Sequence, residues 1–85
     1  MTVLRSKLFI KQFRVLALKQ KKQFEARMGM FLQDQRNPQL RIHQLKGKYH
    51  GYLSMDINGY LRVVFRYEAG GVILLGFIGT HSQLY

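Results

Sequence analysis

The sequence has no cysteine, a single proline (Pro38) and only four acidic residues among 85. Each shortage excludes something. Without cysteine there is no disulfide framework and no Cys/His zinc staple, so one hydrophobic core must hold the fold. The redox compartment is then unconstrained, and compatible with the cytosol. No apolar run approaches the roughly 18 residues of a membrane span. The opening stretch MTVLRSKLFIKQF is punctuated by Arg5, Lys7 and Lys11 and lacks the continuous apolar core expected of a signal peptide. No linker and no repeat divides the chain, so residues 1–85 are expected to form one domain near the lower size limit for a single core.

The shortage of acid is the most informative. Fourteen Lys and Arg leave a net charge of +10 and a pI near 10.4. Self-repulsion of that size is relieved by a polyanionic partner. Nucleic acid is the first candidate, through phosphate neutralisation and counterion release. An acidic protein is the second. Hydrophobic residues make up 47% of the chain, which argues for a globule over disorder.

Thr2 to Leu4 suggest a short first strand. Ser6 is placed as an N-cap, and Phe9, Phe13 and Leu16 follow at helical spacing, predicting a helix over 7–17. The run KQKK at 19–22 suits either a tight connection or the first turn of a second helix. Phe24, Met28, Phe31 and Leu32 carry that helix onward, and it should end before Pro38. These Phe and Met residues are core candidates. Residues 41–49, RIHQLKGKY, form a basic connection with Leu40, Ile42 and Leu45 as anchors.

A hairpin follows. Leu53, Met55 and Ile57 alternate with Tyr52, Ser54 and Asp56, and Leu61, Val63 and Phe65 alternate with Tyr60, Arg62, Val64 and Arg66. Asn58-Gly59 lies between them. A two-residue loop would mix apolar and polar side chains on each face. A three-residue loop, Ile57-Asn58-Gly59, pairs Asp56 with Tyr60 and Met55 with Leu61 and sorts the faces. It predicts a left-handed Gly59 and an Ile57 outside the core. EAGG at 68–71 is the next turn, and VILLGFI at 72–78 reads as a central strand. The expected architecture is α+β: two helices packed on one face of an antiparallel sheet of three or four strands.

The opposite face would display Asp56, Tyr60, Arg62 and Arg66. The basic connection (Arg41, His43, Lys46, Lys48) and the closing GTHSQLY, with His81 and Tyr85, lie at its margins. Cations for phosphates beside rings for bases are what single-stranded RNA binding needs. RNA also carries its own nucleophile, the 2′-OH. Cleavage without a metal then needs a base, an acid and cations for the charge on phosphorus. His43, His50 and His81 titrate near neutrality, and Arg62 and Arg66 suit a phosphate clamp. Asp56 is a candidate base, but equally a turn acid or a partner for Arg62. His50 equally suits a half-buried strand start, and Tyr60 a solvent-lapping ring.

With its helix, helix, NPQLRIHQLKGKYHGY, YLRVVF and LLGFIGTHSQLY in that order, the chain resembles the type II toxins of the RelE/ParE superfamily, nearest the YafQ-like branch. RIHQLKG and IGTHSQLY are the specific parts; the helices are generic. The resemblance implies ribosome-dependent mRNA cleavage without a metal or other cofactor. It also implies rRNA contacts, a cytoplasmic setting and a cognate acidic antitoxin. His43 matches the histidine preceding LKG, His81 that of GTH, Tyr85 a terminal aromatic, and Arg62 an arginine at the start of its strand. Asp56 and Tyr60 stand where the YafQ-like pattern has a further histidine and an aspartate. By resemblance His81 is general acid or base, Arg62 stabilises the transition-state phosphate, Tyr85 stacks on a base or orients the substrate, and His43 and Lys46 hold the backbone. The base opposite His81 is then His43 or Asp56. Arg41, Lys48, Tyr60 and Arg66 complete the expected RNA-binding set. Two competing readings are a gyrase poison of the ParE type and a non-catalytic nucleic-acid-binding module.

Overall fold

Ser6 is where strand becomes helix. Before it, β1 (Thr2–Arg5) runs parallel to β5 (Val72–Thr80), pairing Thr2 with Val72 and Arg5 with Leu75. The computed structural model, which describes residues 1–84, gives Ser6 extended backbone angles (φ −68°, ψ 161°). Its Oγ accepts the Phe9 N–H at 2.9 Å and donates to the Gly76 carbonyl at 2.6 Å. One hydroxyl thus caps α1 (Lys7–Arg14) and ties the helix start to the sheet.

α1 is shorter than its apolar spacing predicts. It stops at Arg14, and Ala17 is already the extended cap of α2 (Leu18–Gln33). The early reversal lets α2 fold back so that Phe24 meets both rings of α1, at 5.5 Å from Phe9 and 5.2 Å from Phe13. KQKK forms the first turn of α2. Phe9, Phe24, Met28 and Phe31 then bury against Met55, Leu61, Val63, Phe65, Ile73, Leu75 and Ile78 of the sheet. Each such side chain contributes about 1.5–3 kcal/mol.

The sheet has five strands in the order β1-β5-β4-β3-β2, adding β2 (His43–Gln44), β3 (Leu53–Asp56) and β4 (Leu61–Glu68). The α+β class holds, while the strand count exceeds the expected three or four and the sheet is mixed. The additions are the two edges. The short strand suggested at Thr2 to Leu4 is present as β1, but its parallel partner lies about 70 positions away, and β2 spans only two residues, too few for a period to show.

The hairpin differs from expectation by two residues. Asp56 opposes Arg62, Met55 opposes Val63, and Ser54 opposes Val64. The Asn58 Oδ1 accepts the N–H groups of Tyr60 (2.8 Å) and Leu61 (2.7 Å), and its Nδ2 donates to Gln23 Oε1 on α2 at 2.9 Å. This side chain organises the turn, and Gly59 is not left-handed. The observed register keeps Ile57 in the core at 2% exposure, which outweighs the glycine-based turn. A two-residue shift leaves the strand residues on their predicted faces, and Ile57 is the one that moves inward.

β5 carries one extra residue. Val64 faces Phe77, but the next residue, Phe65, faces Leu75, leaving Gly76 as a β-bulge. A Cβ at Gly76 would sit 3.4 Å from the Val64 carbonyl oxygen and 3.5 Å from Cε2 of Tyr52. Before the bulge Ile73 and Leu75 point into the core; beyond it Ile78 does. Phe77 and Gly79 therefore join the face that carries Arg62, and His81 follows in the same phase. Past the end of β1, α1 takes over the open side of β5: the Ile78 N–H donates to Gln12 Oε1 at 2.8 Å.

Replacing Ser6 by alanine removes both of its side-chain bonds. Unfolding in urea should show a loss of about 1–2 kcal/mol, with Ser6→Thr recovering most of it. An unchanged midpoint for Ser6→Ala would mean that the junction is held by packing alone.

Candidate functional site

Arg62 sits on a central strand, opposite Asp56 on β3 and Gly79 on β5. Its Nε lies 3.3 Å from Asp56 Oδ1, with both side chains largely shielded (23% and 17% exposed). Its Nη1 reaches the Tyr60 carbonyl at 3.4 Å. The other Asp56 oxygen lies 3.7 Å from Nε of the exposed Arg41. Asp56 is thus held between two arginines.

Arg41 is, among the described residues, the only non-glycine with positive φ (51°). It follows the short 3-10 turn Pro38–Leu40, where Asn37 Oδ1 accepts the Gln39 N–H at 2.9 Å. A left-handed residue with a Cβ costs about 1–2 kcal/mol. Here its carbonyl meets Nδ1 of His43 at 3.1 Å. A carbonyl only accepts, so Nδ1 carries a proton in this contact. In the neutral ring, Nε2 then holds the lone pair. β2 completes the mount by pairing His43 with Ser54.

His81 opens a single helical turn, α3 (His81–Leu84), directly after β5. Thr80 and Gln83 fix that turn reciprocally: the Gln83 N–H donates to Thr80 Oγ1 at 3.3 Å, and the Thr80 N–H donates to Gln83 Oε1 at 2.8 Å. This is a capping box, T-x-x-Q. The strand expected over 72–78 runs two residues further, to Thr80, and this capped turn follows it.

The three mounts meet at an open pocket of about 250 Å³, lined by His43, Leu45, Lys46, Tyr49, Arg62 and His81. No acidic side chain lines it. It is smaller than the about 300–1,000 Å³ of small-molecule pockets. A titratable ring on β2 and another after β5 flank a guanidinium on β4, with an ammonium beside them. Guanidinium and ammonium groups are donors suited to an anionic oxygen, and imidazoles are groups suited to proton transfer.

The other sequence candidates lie elsewhere. Arg66 donates to Glu68 Oε1 (2.8 Å) and to the Tyr52 hydroxyl (3.0 Å), with its guanidinium carbon 5.3 Å from that ring's centroid. The hydrogen bond to Glu68 is the largest cause holding its pKa above the ordinary arginine value. Tyr60 is 80% exposed at the hairpin tip. Lys48 Nζ lies 5.2 Å from the Tyr49 ring centroid, outside the pocket lining. His50 is exposed after the 3-10 turn Gly47–Tyr49 and lines a separate cleft. Tyr85 lies outside the described residues. Among the described residues, no group of three or more His, Asp or Glu side chains is placed to hold a metal ion.

Tyr49 is the lining residue that sequence reasoning passed over. The loop 45–52 folds back over the outer sheet face and stacks Tyr52 on Phe77 (5.9 Å), with Tyr49 edge-on to Phe77 (5.7 Å). This roof explains why Ser54 and Val64, on the face expected to be polar and open, are fully buried. The signal was an aromatic directly after Gly47-Lys48 in a basic segment.

No protein-family model matches the sequence, and no curated protein matches it. Solved structures do match. YafQ from E. coli superposes with a TM-score of 0.77 at 16% identity, covering 98% of this chain and 96% of that one. A YoeB/ParE toxin from Agrobacterium tumefaciens gives 0.79 at 15%, covering 95% and 99%. A metal-bound toxin from Helicobacter pylori gives 0.75 at 21%, covering 100% and 99%. YafQ in its complex with DinJ, from E. coli, gives 0.74 at 17%, covering 98% and 96%. At these identities the likeness is one of fold, and the chain has the RelE/ParE toxin fold shared by YafQ and YoeB/ParE.

Proposed function

We propose that this chain is the toxin of a type II toxin–antitoxin pair, a cytoplasmic, ribosome-dependent endoribonuclease that cleaves mRNA without a metal. The observation that carries this reading is the pocket in which His43 and His81 flank Arg62 with no acid among the lining residues.

In the proposed reaction, Nε2 of His43 takes the proton of the 2′-OH, whose oxygen attacks the adjacent phosphorus. Arg62 and Lys46 stabilise the extra negative charge of the transition state. His81 protonates the departing 5′-oxygen. The P–O5′ bond breaks, leaving a 2′,3′-cyclic phosphate and a free 5′-hydroxyl. Asp56 then serves as the positioning residue of Arg62, since both of its oxygens face arginines. Tyr85, by resemblance, would act on the substrate base.

The partner reading rests on charge and on the fold's company. YafQ is solved in a toxin–antitoxin complex with DinJ, and a chain of +10 suits an acidic antitoxin. Exposed Val15 and Leu18 at the α1–α2 junction offer apolar area to such a partner.

His43→Ala and His81→Ala should each slow cleavage of ribosome-bound mRNA by about 10²–10⁴-fold. Both side chains are exposed, so thermal unfolding should stay at the wild-type value. Full cleavage by either variant removes that histidine from the chemistry. If expression of the wild type produces DNA damage while mRNA stays intact, the gyrase-poison reading replaces this one.

Asp56→Asn separates its two candidate roles. As a positioning residue it should lower the rate at every pH and leave the acidic limb of the pH–rate profile in place. A loss as large as that of His43→Ala, with the acidic limb gone, would make Asp56 the base.

A further inference from the structure

The pocket has two chemically different sides. His43, Lys46, Arg62 and His81 supply charge, whereas Leu45 and the Tyr49 ring supply an apolar wall. A phosphate needs only the first side. The second is what a nucleobase needs. We propose that Tyr49 is the stacking surface for the nucleobase next to the phosphate held by Arg62; this rests on the RNA-substrate reading above.

The ring is held in place before any ligand arrives. Tyr49 packs edge-on against Phe77 at 5.7 Å and an interplanar angle of 70°. Phe77 in turn stacks on Tyr52 at 5.9 Å and 25°. Tyr52 is fixed by the Arg66 guanidinium, which hydrogen-bonds its hydroxyl at 3.0 Å, and Arg66 is anchored by Glu68 at 2.8 Å. Little side-chain freedom is therefore left to lose when a base docks on Tyr49. Gly76 lies against the same assembly: a Cβ there would come into contact with Tyr52 Cε2 at 3.5 Å. Lys48 Nζ lies over the Tyr49 ring, 5.2 Å from its centroid, and is a cation available to a phosphate of the bound strand. Stacking on a ring tolerates any base, since every base presents a π-face. Tyr49 would thus strengthen binding at the scissile position without reading sequence.

The test compares two probes on the full chain, uridine 3′-monophosphate and ribose 5-phosphate, by NMR titration. The wild type should bind the nucleotide about tenfold or more tightly than the sugar phosphate. Tyr49→Leu should erase that ratio and leave ribose 5-phosphate binding unchanged, while Tyr49→Phe keeps the ratio. Should Tyr49→Leu fail to fold, NOEs between the uracil H5/H6 and the Tyr49 ring protons in the wild type decide the matter. A ratio retained in Tyr49→Leu, a wild type that does not distinguish the probes, or bound nucleotide without those NOEs overturns the proposal. Absence of mRNA cleavage by a wild type whose nucleotide preference depends on Tyr49 would instead overturn the nuclease reading alone.

Discussion

One extra residue in the last strand decides what the outer face of this sheet carries. Without the bulge at Gly76, strict alternation from Leu75 would bury Phe77 and Gly79 and send Ile78 outward. With it, Ile78 returns to the core, Phe77 anchors the aromatic roof, and Gly79 lies beside Arg62. The bulge is held from three sides. Ser6 Oγ donates to its carbonyl, the Gln12 side chain accepts the N–H of Ile78, and the Tyr52 ring closes over the space that a Cβ would occupy. The N-terminal helix therefore matters to the pocket although none of its residues lines it. Its cap and its polar side supply the bonds that β5 loses where β1 ends.

The distribution of the few acids follows the same economy. Asp56 and Glu68 stand on the outer sheet face or at its end, each paired with an arginine of β4. The Asp34 side chain closes a turn by accepting the Arg36 N–H. What remains around the pocket is two cations, two imidazoles and the uncharged Leu45 and Tyr49. Low acid content is thus a property of the site as well as of the chain. The pairing also splits the two arginines by function. Arg62 stays at the pocket, oriented by Asp56, whereas Arg66 is occupied by Glu68 and Tyr52 and stiffens the roof. Their similarity as alternating arginines on one strand hid this difference.

The parts of the fold legible in the sequence were those written in local periodicity. Phe9, Phe13, Phe24, Met28 and Phe31 declare two helices, and Ser6 declares a cap. The hairpin shows the limit. A period of two assigns faces but cannot distinguish registers two residues apart. The choice depended on burying Ile57 and on Asn58 reaching Gln23 of α2, a contact 35 residues away. The parallel pairing of β1 and the two-residue β2 are likewise long-range. At the site, His43 and His81 could be named because the chain has only three histidines, and Lys46 and Arg62 because they fall in the basic connection and on the polar side of the hairpin. Tyr49 could not, since its place in the pocket depends on a loop folding back onto Phe77. The T-x-x-Q box at Thr80 and Gln83 was present in the sequence and went unread, because attention fell on His81 and Tyr85.

The sheet order also bears on which groups can work together. β2 and β5 lie on opposite sides of β4, with β3 between β4 and β2. His43 therefore approaches Arg62 from one side and His81 from the other. In-line displacement at phosphorus places the attacking and leaving oxygens on opposite sides of the phosphoryl group. A base and an acid on opposite sides of the phosphate-holding arginine satisfy that requirement. Asp56 stands on the same side of β4 as His43, but both of its oxygens face arginines, Arg41 and Arg62. In the proposed reaction the pairing of His43 with His81 follows from the topology together with the engagement of Asp56 by two arginines. The left-handed Arg41 supports it further, by holding Nδ1 of His43 and leaving Nε2 for the proton.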